Sequence, residues 1–128
     1  MDIHNLIFLL IKNLVYFILL IILVGLTVVI TKIMHLPLIA VAVVSFSFVC
    51  IAMVWIGYLN TKDSNDHKLK NGLIFHLILG TLFGVLASFY DNQSLWKQVL
   101  DTLLFISILE IGSLIYYFKK HKKIVSAI

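Results

Sequence analysis

The stretch LLFISILEIGSLIYYFKKHKK (residues 103–123) carries a carboxylate, Glu110, well inside an apolar run. Counted at the rise of a helix, Glu110 lies about 17 Å from the end of the run at Val99 and about 12 Å from the end at Phe118. An ionisable side chain at that depth in lipid costs at least about 2.5–3.5 kcal/mol and normally faces the interior of a helix bundle. Ser107 and Ser113 stand three residues either side of Glu110, and Tyr117 stands seven beyond it. The line Leu103–Ser107–Glu110–Ser113–Tyr117 therefore reads as one polar seam turned away from lipid.

Three kinds of chemistry suit such an acid. It can tie two helices together by hydrogen bonding, serve as a proton-coupled site, or receive a polar group from a partner's helix. His76 is the natural counterpart, because it alone of His4, His35, His67, His76 and His121 sits well inside an apolar run. The run containing His76 should be the antiparallel neighbour of the run containing Glu110. The depth difference is about 6 Å, which two extended side chains or one bridging water can close. Asp101 is no second member of a carboxylate pair: nine steps of about 100° place it opposite Glu110, where it is expected to pair with Lys97 at the wet end.

Stepping from these residues to the segments that must hold them, 62% of the 128 residues are hydrophobic and 12% charged, with a mean hydropathy of +1.09. A soluble fold of this size cannot hide that much apolar surface. Runs of about 20 apolar residues span a bilayer core of about 30 Å. Four occur, at about 14–31, 36–58, 72–90 and 99–118. The expected architecture is an all-α integral membrane protein, a bundle of four transmembrane helices with short connections, in which 1–128 form a single membrane domain. TKIMHLP (31–37) and DNQSLWKQ (91–98) read as tight hairpins, and NTKDSNDHKLKN (60–71) as the longest polar connection. The segment 1–13 is either an interfacial amphipathic helix or an extension of the first span, with Lys12 snorkelling to the headgroups. The first run shows no convincing cleavage site and is expected to be retained.

Lysine distribution sets the orientation. All ten cations are lysine, with Lys12, Lys62, Lys68, Lys70, Lys119, Lys120, Lys122 and Lys123 on one side and Lys32 and Lys97 on the other. By the positive-inside rule both termini are expected to be cytoplasmic in a plasma (inner) membrane. Residues 119–128 then form a basic cytoplasmic tail whose Lys119, Lys120, Lys122 and Lys123 meet anionic lipid headgroups. Trp55, Tyr58, Tyr116 and Tyr117 at one level, and Phe89, Tyr90 and Trp96 at the other, suit the two interfaces. The all-lysine usage, with abundant Ile, Phe and Asn, fits a bacterial source.

In the third run Gly72, His76, Gly80, Gly84 and Ser88 recur every four positions. Gly72, Gly80, Gly84 and Ser88 form a helix-packing strip for another span of this chain or for a second protein, because close backbone approach drives association in lipid. The small residues of the second run are scattered, and it reads as a packing partner without chemistry. Lone Cys50 allows no intramolecular disulfide and reads as an inert buried thiol.

No hydrolase, metalloprotease, phosphate-loop or paired-cysteine motif is present, so no catalytic residue, metal or cofactor is expected. Five histidines in five regions do not make a haem site. The lysines flank spans instead of forming a folded basic face, which argues against nucleic acid. The functional expectation is a non-enzymatic bacterial membrane protein, an accessory, immunity or regulatory subunit that contacts a membrane-protein partner or a second copy of itself. The alternative is a minimal oligomeric proton-coupled transporter or channel using Glu110 and His76.

Overall fold

The computed structural model describes residues 2–65, 67–90 and 94–127, apart from the side chains of Tyr90 and Ala127. Four helices follow one another: α1 (Ile3–Ile33), α2 (Leu38–Asp63), α3 (Lys68–Tyr90) and α4 (Leu95–Ala127). All four are long and apolar enough to cross a membrane, and they pack as an antiparallel bundle. Residues 91–93, within the expected second hairpin, and the Tyr90 ring lie outside the described residues.

Polar sequence did not always mean loop. Helix α1 is unbroken from Ile3, so residues 3–13 extend the first span. Helix α2 continues through Asn60 and Thr61 to Asp63, and α3 begins at Lys68, which leaves a four-residue connection within a twelve-residue polar stretch. The α1–α2 turn is a Schellman closure. The Leu36 amide donates to Thr31 O (3.1 Å), and the His35 amide to Lys32 O (3.1 Å). His35 occupies the left-handed position at φ 56, where glycine is usual. Pro37 is the N-cap of α2, one residue before the first helical turn, and its carbonyl accepts from the amides of Ala40 and Val41.

Packing is uneven along the bundle. The core of Leu9, Met53, Ile56, Phe75, Leu79 and Leu109 lies towards the lysine-rich end, where α1 begins and α2 ends. An aromatic cluster joins α1, α3 and α4 above it, with Phe17 and Phe83 centred 4.9 Å apart and Phe83 and Phe105 5.0 Å apart. Among the described side chains, α2 buries nothing before Met53 and α3 nothing beyond Gly80. The far half of α2 is therefore open to its surroundings, and that of α1 buries only Leu20 and Thr31.

The tightest approach is between α2 and α4. A Cβ on Gly57 would collide with the backbone carbonyl of Leu109, and one on Gly112 with the backbone of Val54 and Tyr58. The two glycines let the helix backbones touch. At the far end, Lys97 and Asp101 are both exposed and form no ion pair.

Candidate functional site

Polar side chains from all four helices converge just inside the lysine-rich end. His76, fully buried on α3, places Nδ1 2.5 Å from Glu110 Oε1 on α4. Its other ring nitrogen, Nε2, lies 3.3 Å from Asn60 Nδ2 on α2. Asn60 and Asn13 of α1 exchange amide hydrogen bonds: Asn13 Nδ2 donates to Asn60 Oδ1 (2.7 Å), and Asn60 Nδ2 to Asn13 Oδ1 (3.1 Å). Asn13 Nδ2 also donates to Leu9 O at 2.7 Å.

These contacts fix the direction of the whole chain. A backbone carbonyl only accepts, so the Asn13 atom facing Leu9 must be its nitrogen. That nitrogen also faces Asn60, so the Asn60 atom opposite is oxygen, and the remaining Asn60 atom, against His76, is an NH2 donor. Nε2 of His76 must then be the bare, accepting nitrogen, and Nδ1 carries the hydrogen donated to Glu110. One α1 carbonyl thereby orients an imidazole two helices away.

A second branch joins α2 to α4. Thr61 Oγ1 and Ser113 Oγ are 2.5 Å apart, and Thr61 Oγ1 donates to Gly57 O at 3.1 Å. Ser113 Oγ lies 3.5 Å from His76 Nδ1, too far to compete with Glu110. Towards the end of the bundle, Lys12 Nζ meets Asp63 Oδ2 at 2.6 Å and Asn5 Nδ2 donates to Asp63 O. Adjacent Lys12 and Asn13 thus have separate partners on α2: one closes an ion pair with its end, the next an amide pair one turn deeper.

Geometry limits the chemistry. A carboxylate that orients a histidine through Nδ1 normally leaves Nε2 to act as a base. Here Asn60 covers Nε2, and the imidazole is fully buried. Glu110 alone opens outwards, with 24% of its side chain exposed. Proton exchange with the surroundings must therefore pass through the carboxylate. Among the described residues no three metal-binding side chains cluster.

The expected residues fall into two groups. Glu110, His76 and Ser113 are brought together. Ser107 and Tyr117 are not: Ser107 is exposed and donates to Leu103 O, while Tyr117 is exposed and stacks on His121. Ahead of Ser113 the expected seam is off by one position: Gly80 and Gly84 seat Ile106 and Thr102 of α4, and Leu109 is buried next along that face. Glu110 sits at the edge of that face.

The small-residue strip divides between two neighbours. Gly72 faces Thr61 of α2, Gly80 and Gly84 face α4, and Ser88 is exposed and donates to Val85 O. Of the tail lysines, Lys119 Nζ lies 5.6 Å above the Tyr58 ring, whereas Lys120, Lys122 and Lys123 are exposed. Asn13, Asn60 and Thr61 are the residues that sequence reasoning missed. Their signal was an amide or hydroxyl adjoining long apolar runs. No known protein family, curated protein or solved structure matches the chain.

Proposed function

We propose that this chain is a non-enzymatic accessory, immunity or regulatory subunit of a bacterial plasma membrane, with both termini cytoplasmic, acting through helix contacts with a membrane-protein partner. The observation that carries this reading is the uneven packing. One end is locked by hydrogen bonds across all four helices, while the far half of α2 buries no side chain and Gly25 of α1 has nothing within 4 Å of a Cβ position. Helices held firmly at one end and sparsely packed at the other offer long apolar faces to another helix. The small-residue strip lends no support to docking, since Gly72, Gly80 and Gly84 are used inside the chain.

A second reading, a proton-coupled site in an oligomer, rests on the partial exposure of Glu110 beside buried His76. Purification in mild detergent after cross-linking through cysteines placed at Val29 and Val43 separates the two. A stoichiometric heterologous product is expected, with Glu110→Gln leaving it intact. A homo-oligomer whose proton flux in vesicles is abolished by Glu110→Gln would replace the accessory reading with the second one.

A further inference from the structure

Helix α4 runs past the end of α2 at the lysine-rich end, and its last turns stand beside the first turn of α3. Between them opens a cleft of about 930 Å³. Lys68 and Lys70 of α3 and Lys120 of α4 line it, and no carboxylate does among the described residues. Among the described residues, the acids nearby are committed elsewhere, Asp63 to Lys12 and Glu110 to His76. Lys68 is anchored by donating to Lys62 O (2.6 Å) and Ser64 O (2.9 Å), and among the described residues the third N–H of its ammonium has no acceptor. Three cations from two helices, around a cavity with no carboxylate among its described lining residues, constitute a site for an anion.

The rest of the wall identifies the carrier of that anion. Leu69 and Ile124 line the same cleft and are 36% and 53% exposed. Tyr117, stacked 6.2 Å from His121, adds an amphipathic ring of the kind that favours headgroup level. A free phosphate ion needs no apolar wall, whereas a phospholipid presents its phosphate beside glycerol and acyl carbons. The volume also suits a ligand larger than an ion.

We propose that this cleft binds the phosphate of an anionic phospholipid, with Lys68, Lys70 and Lys120 around the charge and Leu69 and Ile124 against the glycerol end. It is a built site, distinct from diffuse attraction by the tail, because Lys122 and Lys123 do not line it. The test is thermal unfolding of the full chain in neutral detergent with phosphatidylglycerol, phosphatidylcholine or sodium phosphate, at constant ionic strength. Phosphatidylglycerol should raise the midpoint by about 4 °C or more near saturation. Lys70→Gln/Lys120→Gln should lose most of that rise, while Lys122→Gln/Lys123→Gln, with the same charge removed, should keep it.

Three results would overturn the proposal. An equal rise with phosphatidylcholine would make the charge irrelevant. Equal stabilisation by sodium phosphate would make the ligand a soluble anion. Equal loss in the two double variants would reduce the effect to general polybasic attraction. All four lysines are on the surface or its edge, so circular dichroism before titration should report an unchanged fold.

Discussion

At the scale of single residues, the Leu9 carbonyl gives the buried relay its direction, and each later partner has its role assigned by the one before. A buried polar network of this kind stabilises only while every member is satisfied. His76→Leu removes the donor to Glu110 and the acceptor for Asn60 in one step. Leaving a partly buried carboxylate without its hydrogen-bond donor costs about 1.5–3 kcal/mol, and the 24% exposure of Glu110 keeps this case within that range. The double variant His76→Leu/Glu110→Leu should recover at least half of that loss, since no carboxylate then lacks a partner. Reversible unfolding in mixed micelles would measure both, and a double variant no more stable than the single one would contradict the pairing. Glu110 and His76 were legible in the sequence because each is the lone ionisable group deep in an apolar run. Asn13 and Asn60 were not, because an asparagine near the end of a run reads equally well as the start of a loop.

At the scale of elements, glycine positions rank the helix interfaces. Gly57 and Gly112 meet backbone, which cannot move aside, whereas the Cβ of an alanine at Gly84 would meet Thr102 Oγ1 at 2.6 Å, a side-chain atom able to rotate. Gly57→Ala and Gly112→Ala should each separate α2 from α4 and lower stability by about 1–3 kcal/mol, as overpacking does. Gly84→Ala should cost less. Gly25→Ala, in open space, should be neutral or stabilising by up to about 1 kcal/mol, because alanine is the better helix former. Midpoints of unfolding for the four variants would establish the order. The regular four-residue strip on α3 was visible in sequence. The α2–α4 contact was not, because it depends on one glycine from each helix, and a single glycine carries no periodicity.

At the scale of the whole molecule, charge sets the direction of insertion and packing sets which end is firm. The proposed orientation puts the 64–67 connection inside and the α1–α2 turn outside. In a variant lacking Cys50, an impermeant maleimide applied to intact cells should label His35→Cys and leave Asn65→Cys unlabelled until the membrane is opened. The reverse pattern would invert the orientation and place the basic cleft on the outer leaflet. Because eight lysines stand at one end and two at the other, inversion would also require an explanation from outside the chain.

What the sequence determined by itself was the solvent and the number of crossings. Apolar length is a local property, and with no water in the bilayer core each run must satisfy its backbone hydrogen bonds as a helix. The neighbours were decided by the tertiary structure. Whether Gly80 meets another protein or Ile106, and whether Asn60 ends a loop or covers His76, depends on the rotation of each helix about its own axis. That rotation is set jointly by contacts from all four helices, so no one segment encodes it.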